Sequence, residues 1–166
     1  MQLNGLLHTF SKEIKLLIGA FIIVLSIGFF TGLLFVGETS STNPNGIEEQ
    51  YLGNESDEDA EIMKFKKSDQ EMLTLVHNHI LSMSIIFFLV GMILSTTKLN
   101  KKLKLFLMIE PFASVLLTFG GIYLLWNGLF WMKYIIMFSG TLMTLTYSCS
   151  IVIILLQLFQ NKSIRT

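Results

Sequence analysis

Four apolar stretches, each long enough to cross a bilayer, dominate this chain: Leu16 to Val36, Met72 to Leu94, Leu105 to Trp126 and Tyr134 to Phe159. A helix needs about 20 mostly apolar residues to span the hydrocarbon. Backbone polar groups in lipid must find partners within the segment, which selects helices; membrane strands would be short and alternating, whereas these runs are apolar all round. The expected fold class is therefore all-α, an integral membrane four-helix bundle forming a single membrane domain over residues 1–166. Charged residues make up only 14% of the chain, against roughly 25% in a soluble domain, so a soluble globular fold is excluded. The first run is longer than the apolar core of a cleavable signal and is expected to persist as the first span.

The formal net charge is zero, but the charges are segregated. From Glu38 to Glu71 there are ten acidic and three basic residues, whereas Lys98 to Lys104 holds four lysines and no acid. No basic patch argues for nucleic acid. Lys12, Lys15, Lys98, Lys101, Lys102, Lys104, Lys162 and Arg165 fall on one side of the membrane; Lys64, Lys66, Lys67 and Lys133 fall on the other. The side richer in lysine and arginine is expected to be cytoplasmic, giving a multi-pass protein with both termini in and an acidic outer loop over residues 37–71. Trp126 and Trp131 then flank the short outer turn at Asn127-Gly128, a common place for interfacial tryptophan.

Within the outer loop, Ser40 to Gly46 reads as a turn and Ile47 to Met63 as acidic chain able to hold one or two short helices. The run Asn54 to Glu61 lacks the glycine and the closing glutamate of a calcium-binding EF-hand loop. Asn54-Glu55-Ser56 fits the glycosylation pattern, which is common by chance. Ser68-Asp69-Gln70-Glu71 has capping-box spacing and sets the expected start of the second helix at Ser68.

Small and polar residues mark packing faces inside lipid. On the second span, His77, Ser84, Gly91 and Ser95 share one face at about 100° per residue, opposite Met83, Ile86, Val90 and Ile93, which are expected to face lipid. On the fourth, Gly140, Thr141, Thr144, Tyr147 and Ser148 share a face, opposite Phe138, Leu142, Leu145, Cys149 and Ile153. The first span holds a GxxxG at Gly28 and Gly32, and the third has Ser114, Thr118 and Gly121 near one face.

The candidate functional residues are His77, His79, Glu110, Thr144 and Tyr147. His77 and His79 point about 200° apart on a helix and so cannot share a metal ion unless the helix is unwound; they are weak candidates for copper or zinc. Haem would need an axial partner for His77 on a facing helix, and none is offered. His77 is expected to look into the bundle and to hydrogen-bond to the fourth helix near Gly140 to Thr144, with His79 at headgroup level. Glu110 precedes Pro111, and proline is tolerated in a first helical turn. The preferred reading makes Glu110 an interfacial cap paired with Lys101 or Lys104; in the alternative, it is a buried acid beside a kink. No cofactor is predicted, and no phosphate loop, catalytic triad or metalloprotease motif occurs.

The stretches Gly46 to Glu55, Met63-Lys64-Phe65, His77 to Leu81, Glu110-Pro111-Phe112 and Phe119-Gly120-Gly121 resemble a group of uncharacterised four-span bacterial inner-membrane proteins. The resemblance covers most of the chain from Gly46 onward and implies a bacterial inner membrane. The function expected is accessory, sensory or structural, with lipid and a homo-oligomer or membrane-complex partner as neighbours. The alternative is a small cation or proton carrier, or a metal-binding redox component, using His77.

Overall fold

The computed structural model describes residues 4–40, 43–55 and 62–160. Most of the acidic run, from Ser56 to Glu61, and the C-terminal Lys162 and Arg165 lie outside these described residues. The chain is an all-α bundle built on α1 (Lys12–Ser40), α2 (Pro44–Leu52), α3 (Asp69–Ser95), α4 (Lys101–Val115), α5 (Gly121–Trp126) and α6 (Met132–Phe159). A π turn, Leu116–Gly120, joins α4 to α5, so Lys101 to Trp126 forms one spanning unit. With α1, α3 and α6, this gives four helices long and apolar enough to cross a membrane. No strand occurs among the described residues.

Local chemistry explains the helix starts. The Ser68 hydroxyl accepts from the Glu71 amide, and the Glu71 carboxylate accepts from the Ser68 amide, so the capping box at α3 is formed. Asn100 caps α4 by accepting from the Lys102 amide. Asn43 caps α2 by accepting from the Gly46 amide at 2.8 Å, with Pro44 in the first turn. Pro44-Asn45-Gly46 is therefore the opening of a helix rather than a turn. The fixed φ of proline suits a first helical turn, where its missing N–H costs nothing.

Two apolar clusters hold the bundle. The central one joins Ile22 of α1, Phe87, Val90 and Leu94 of α3, Leu107 and Val115 of α4, and Met143, Tyr147, Ile151 and Ile154 of α6. The second, made of Met72, Ile122, Leu125, Met132 and Ile136, lies beneath α2, which lays Ile47, Tyr51 and Leu52 over it. Lys133 binds Glu48 at 2.7 Å and ties α2 to α6. At the opposite end, the N-terminal segment docks on the α3–α4 turn: the Leu7 amide donates to the Thr96 carbonyl, and Leu7 is wholly buried.

Several expected faces are rotated. On α3, Gly91 of the expected seam is buried, but so is Val90 of the opposite face, and Ser84 and Ser95 are only half buried, because the large side chains of Phe87, Val90 and Leu94 fill the core. On α6, the buried hydroxyls are Ser139, Thr146 and Ser150; Thr141 is exposed, and Thr144 and Ser148 donate to their own i−4 carbonyls. A hydroxyl satisfied within its own helix can face lipid. Gly28 and Gly32 are exposed with open space around them; Gly19 is the α1 glycine in contact with α6, through Leu158 and Phe159. The third span keeps its expected seam, with Ser114, Thr118 and Gly121 all buried.

Candidate functional site

Glu110 is the one Asp, Glu, Lys or Arg inside the four apolar runs. It lies nine residues into α4 and five residues, about 8 Å along the axis, past the start of the apolar run at Leu105, inside a hydrocarbon core about 30 Å thick. Only 9% of it is exposed. The interfacial reading is thus corrected: α4 starts at Lys101 because Asn100 caps it there, so Pro111 falls inside the helix. Lys104 does not pair with Glu110. Its Nζ donates instead to the carbonyls of Thr97 (2.5 Å) and Ser95 (3.0 Å) and to Asn4 Oδ1 (2.7 Å), and Lys101 is exposed.

Two hydroxyls hold the carboxyl. Ser114, one turn along α4, bonds Oε1, and Thr146 of α6 lies 2.6 Å from Oε2. Thr146 Oγ is also 2.9 Å from the Leu142 carbonyl and 3.1 Å from the Met143 carbonyl. A threonine has one proton to give, so these three acceptors compete for it. Ser150 donates to the Thr146 carbonyl, and toward the α2 end Thr118 and Ser139 pair at 2.7 Å between the π turn and α6. The buried polar groups therefore form a row, Ser150, Thr146, Glu110, Ser114, Thr118 and Ser139, along the contact between the last two spanning units.

The backbone beside this row is irregular. Pro111 has no N–H to give the carbonyl of Leu107. Five residues on, the helix widens into the π turn at Leu116–Gly120. π turns within helices are frequent at functional sites. No charged side chain of the neighbouring helices lies within reach in sequence terms: α1 has none between Lys15 and Glu38, α3 none between His79 and Lys98, and α6 none after Lys133.

The other candidates are dispersed. Tyr147 follows Thr146 and is buried, but its ring stacks on Phe29 of α1 at 4.0 Å and its hydroxyl lies 3.5 Å from Ser26. Thr144 bonds to the Gly140 carbonyl, away from Glu110. His77 is exposed on the face it shares with Leu81, Phe88 and Met92, which overturns its expected inward aim and its bond to α6. His79, also exposed, is the one that makes contacts. It lies 2.8 Å from the Leu75 carbonyl through Nδ1 and stacks on Phe119 of the π turn at 4.6 Å. No group of three or more His, Cys, Asp or Glu converges among the described residues. Thr146, Ser139 and Ser150 were missed in the sequence because the hydroxyls of the fourth span spread over more than half of its circumference.

The model of the Aq_1264_TM family, a transmembrane helical domain, matches residues 41–165. No curated protein and no solved structure matches the chain. The matched stretch holds α2 and the last three spanning units, and the chain belongs to this family of transmembrane helical domains.

Proposed function

We propose that this member of a transmembrane helical domain family is a non-enzymatic multi-pass protein that takes up and releases a proton at Glu110, as a sensor or carrier. The observation that carries the reading is the Glu110–Thr146 pair, buried between two spanning units. One set of heavy-atom positions suits two proton arrangements. With the carboxylate ionised, Ser114 and Thr146 each donate to one oxygen. With it protonated, Oε2–H donates to Thr146 Oγ, and Thr146 turns its own proton to the Leu142 carbonyl. The proton is exchanged without separating α4 from α6. Intramembrane acids are costly and tend to mark proton or ion pathways. This role moves from His77, which lies on the exposed face, to Glu110.

A second reading, a packing subunit of a larger membrane assembly, is favoured by α1. That helix buries 11% of its apolar window, against 44% for the Lys101–Trp126 unit. We place the protein in an inner membrane, from its resemblance to four-span bacterial proteins, and orient both termini to the cytoplasm, from the eight basic residues on that side.

Infrared difference spectra of the protein in bilayers, taken between acidic and alkaline buffer, test the proton site. A carboxylic C=O band shielded from water is expected in the natural chain, shifted in Thr146→Val and missing in Glu110→Gln. Identical spectra for the natural chain and Glu110→Gln would overturn the reading. Cysteines placed at Glu55 and Lys102, with Cys149→Ser, test the orientation: an impermeant reagent should label the first in intact cells and not the second.

A further inference from the structure

The segment from Ile62 to Lys67 leads into α3 without helix or strand, yet its backbone is firmly held. The Lys64 amide donates to Asn54 Oδ1 at 2.6 Å, the Asn54 amide donates to the Lys64 carbonyl at 3.0 Å, and Asn54 Nδ2 donates to the Ile62 carbonyl at 3.0 Å. The Lys67 amide donates to the Tyr51 carbonyl at 3.2 Å, and Trp126 Nε1 donates to the Lys67 carbonyl at 2.9 Å. Gly53, at φ +84°, lies so close that a Cβ there would sit 2.8 Å from backbone atoms of Lys64 and Lys66.

This fixed backbone presents three large apolar side chains with little over them: Ile62, Met63 and Phe65 are 70%, 54% and 71% exposed. A mobile loop could fold such residues under itself, but a fastened one holds them out. Phe65 stands three residues before the Ser68 cap of a spanning helix. The Lys66 ammonium sits 5.0 Å over the Trp126 ring at the end of another. Tryptophan and lysine at helix ends mark the headgroup level of a bilayer. The exposed apolar faces of α3 (Leu73, Leu81) and α5 (Tyr123, Leu124), which the bilayer covers, lead up to the same level.

We propose that Ile62, Met63 and Phe65 form an apolar finger inserted at the boundary between headgroups and acyl chains of the membrane the helices span. Lys66 and Lys67 reach the lipid phosphates beside it. The partner of this surface is phospholipid, and residues 62–67 lie on the membrane rather than away from it. A lipid finger accounts for both halves of the observation: hydrogen bonds that fix the backbone, and apolar side chains left more than half exposed. It is independent of the proton site at Glu110.

Spin-label accessibility tests the proposal. Phe65→Cys and, separately, Met63→Cys are made in Cys149→Ser, labelled, and reconstituted as the full chain in phosphatidylcholine–phosphatidylglycerol bilayers. Collisions with oxygen, which concentrates in lipid, are compared with collisions with a water-soluble nickel chelate. Glu55→Cys serves as the aqueous reference, and Ile85→Cys, on the exposed face of α3, as the bilayer reference. Both finger positions should favour oxygen over nickel, several-fold more than Glu55 and less than Ile85. Ratios equal to that of Glu55 would overturn the proposal by placing the finger in water. Shielding from both relaxants would overturn it as well, by placing a protein surface over the finger.

Discussion

The hydroxyl of Thr146 on α6 lies 2.6 Å from Oε2 of Glu110 on α4 and joins the two most closely packed spanning units by a buried hydrogen bond. Interhelical hydrogen bonds in membranes contribute about 0.6 kcal/mol on average and up to about 1.7. Thr146→Val should therefore destabilise the bundle by about 1 kcal/mol in detergent unfolding. Glu110→Gln should cost less, because its amide still reaches both hydroxyls. In a double-mutant cycle of Glu110→Ala and Thr146→Val, the two losses should fall short of additivity; full additivity would mean the residues do not interact.

The histidines should differ in the order that packing dictates. Both are exposed, but His79 stacks on Phe119 whereas His77 lies beside Leu81, Phe88 and Met92 on the outer face of α3. His79→Ala is expected to lower stability by about 0.5–1.5 kcal/mol, the usual range for a ring pair. His77→Leu should fall within about 0.5 kcal/mol of the natural chain. Thermal unfolding of the two variants decides, and greater damage from His77→Leu would return that residue to the interior.

Gly53 and the GxxxG glycines make a contrast. Gly53→Ala forces a Cβ onto the backbone of Lys64 and Lys66 at a φ that side chains rarely adopt, a strain of about 1–3 kcal/mol. The loss should appear as faster hydrogen exchange over residues 62–67. Gly28→Ala and Gly32→Ala meet open space and should be neutral, or stabilising by up to about 1 kcal/mol through helix propensity. Clear destabilisation by either would show that α1 packs its glycines against another helix in the native membrane.

Burial pushes the Tyr51 phenol up to about 12 from its usual 10. A folded-state value raised above the unfolded one gives stability that is complete below pH 10 and is lost as pH rises through about 12. For this mostly desolvated ring the amount is on the order of 2 kcal/mol. The cap formed by α2 should thus loosen between those pH values, as read by the fluorescence of Trp126, which is bonded to Lys67 beside Tyr51. Tyr51→Phe should move the transition upward, and an unchanged midpoint would assign it to another group.

The sequence by itself determined the features that rest on chain length and local hydrogen bonding. Four long apolar runs required four helices, because lipid offers the backbone no other partners. The Ser68–Glu71 box fixed the start of α3, since a cap involves only neighbouring residues. The small residues Ser114, Thr118 and Gly121 marked the inner seam of the third span, where at Gly121 an added Cβ would press on Ile136 of α6. Only the tertiary structure decided which way His77 points, which α6 hydroxyls are buried, and that Glu110 is interior. In water, polarity tells inside from outside; in a bilayer, core and surroundings are equally apolar, so the sequence pattern has little direction. Side-chain volume then turns Phe87, Val90 and Leu94 inward on α3, and with them turns His77 out. The depth of Glu110 followed from a cap at Asn100, ten residues upstream, and from Thr146, on a helix 36 residues along the chain, which meets it only once the bundle is packed.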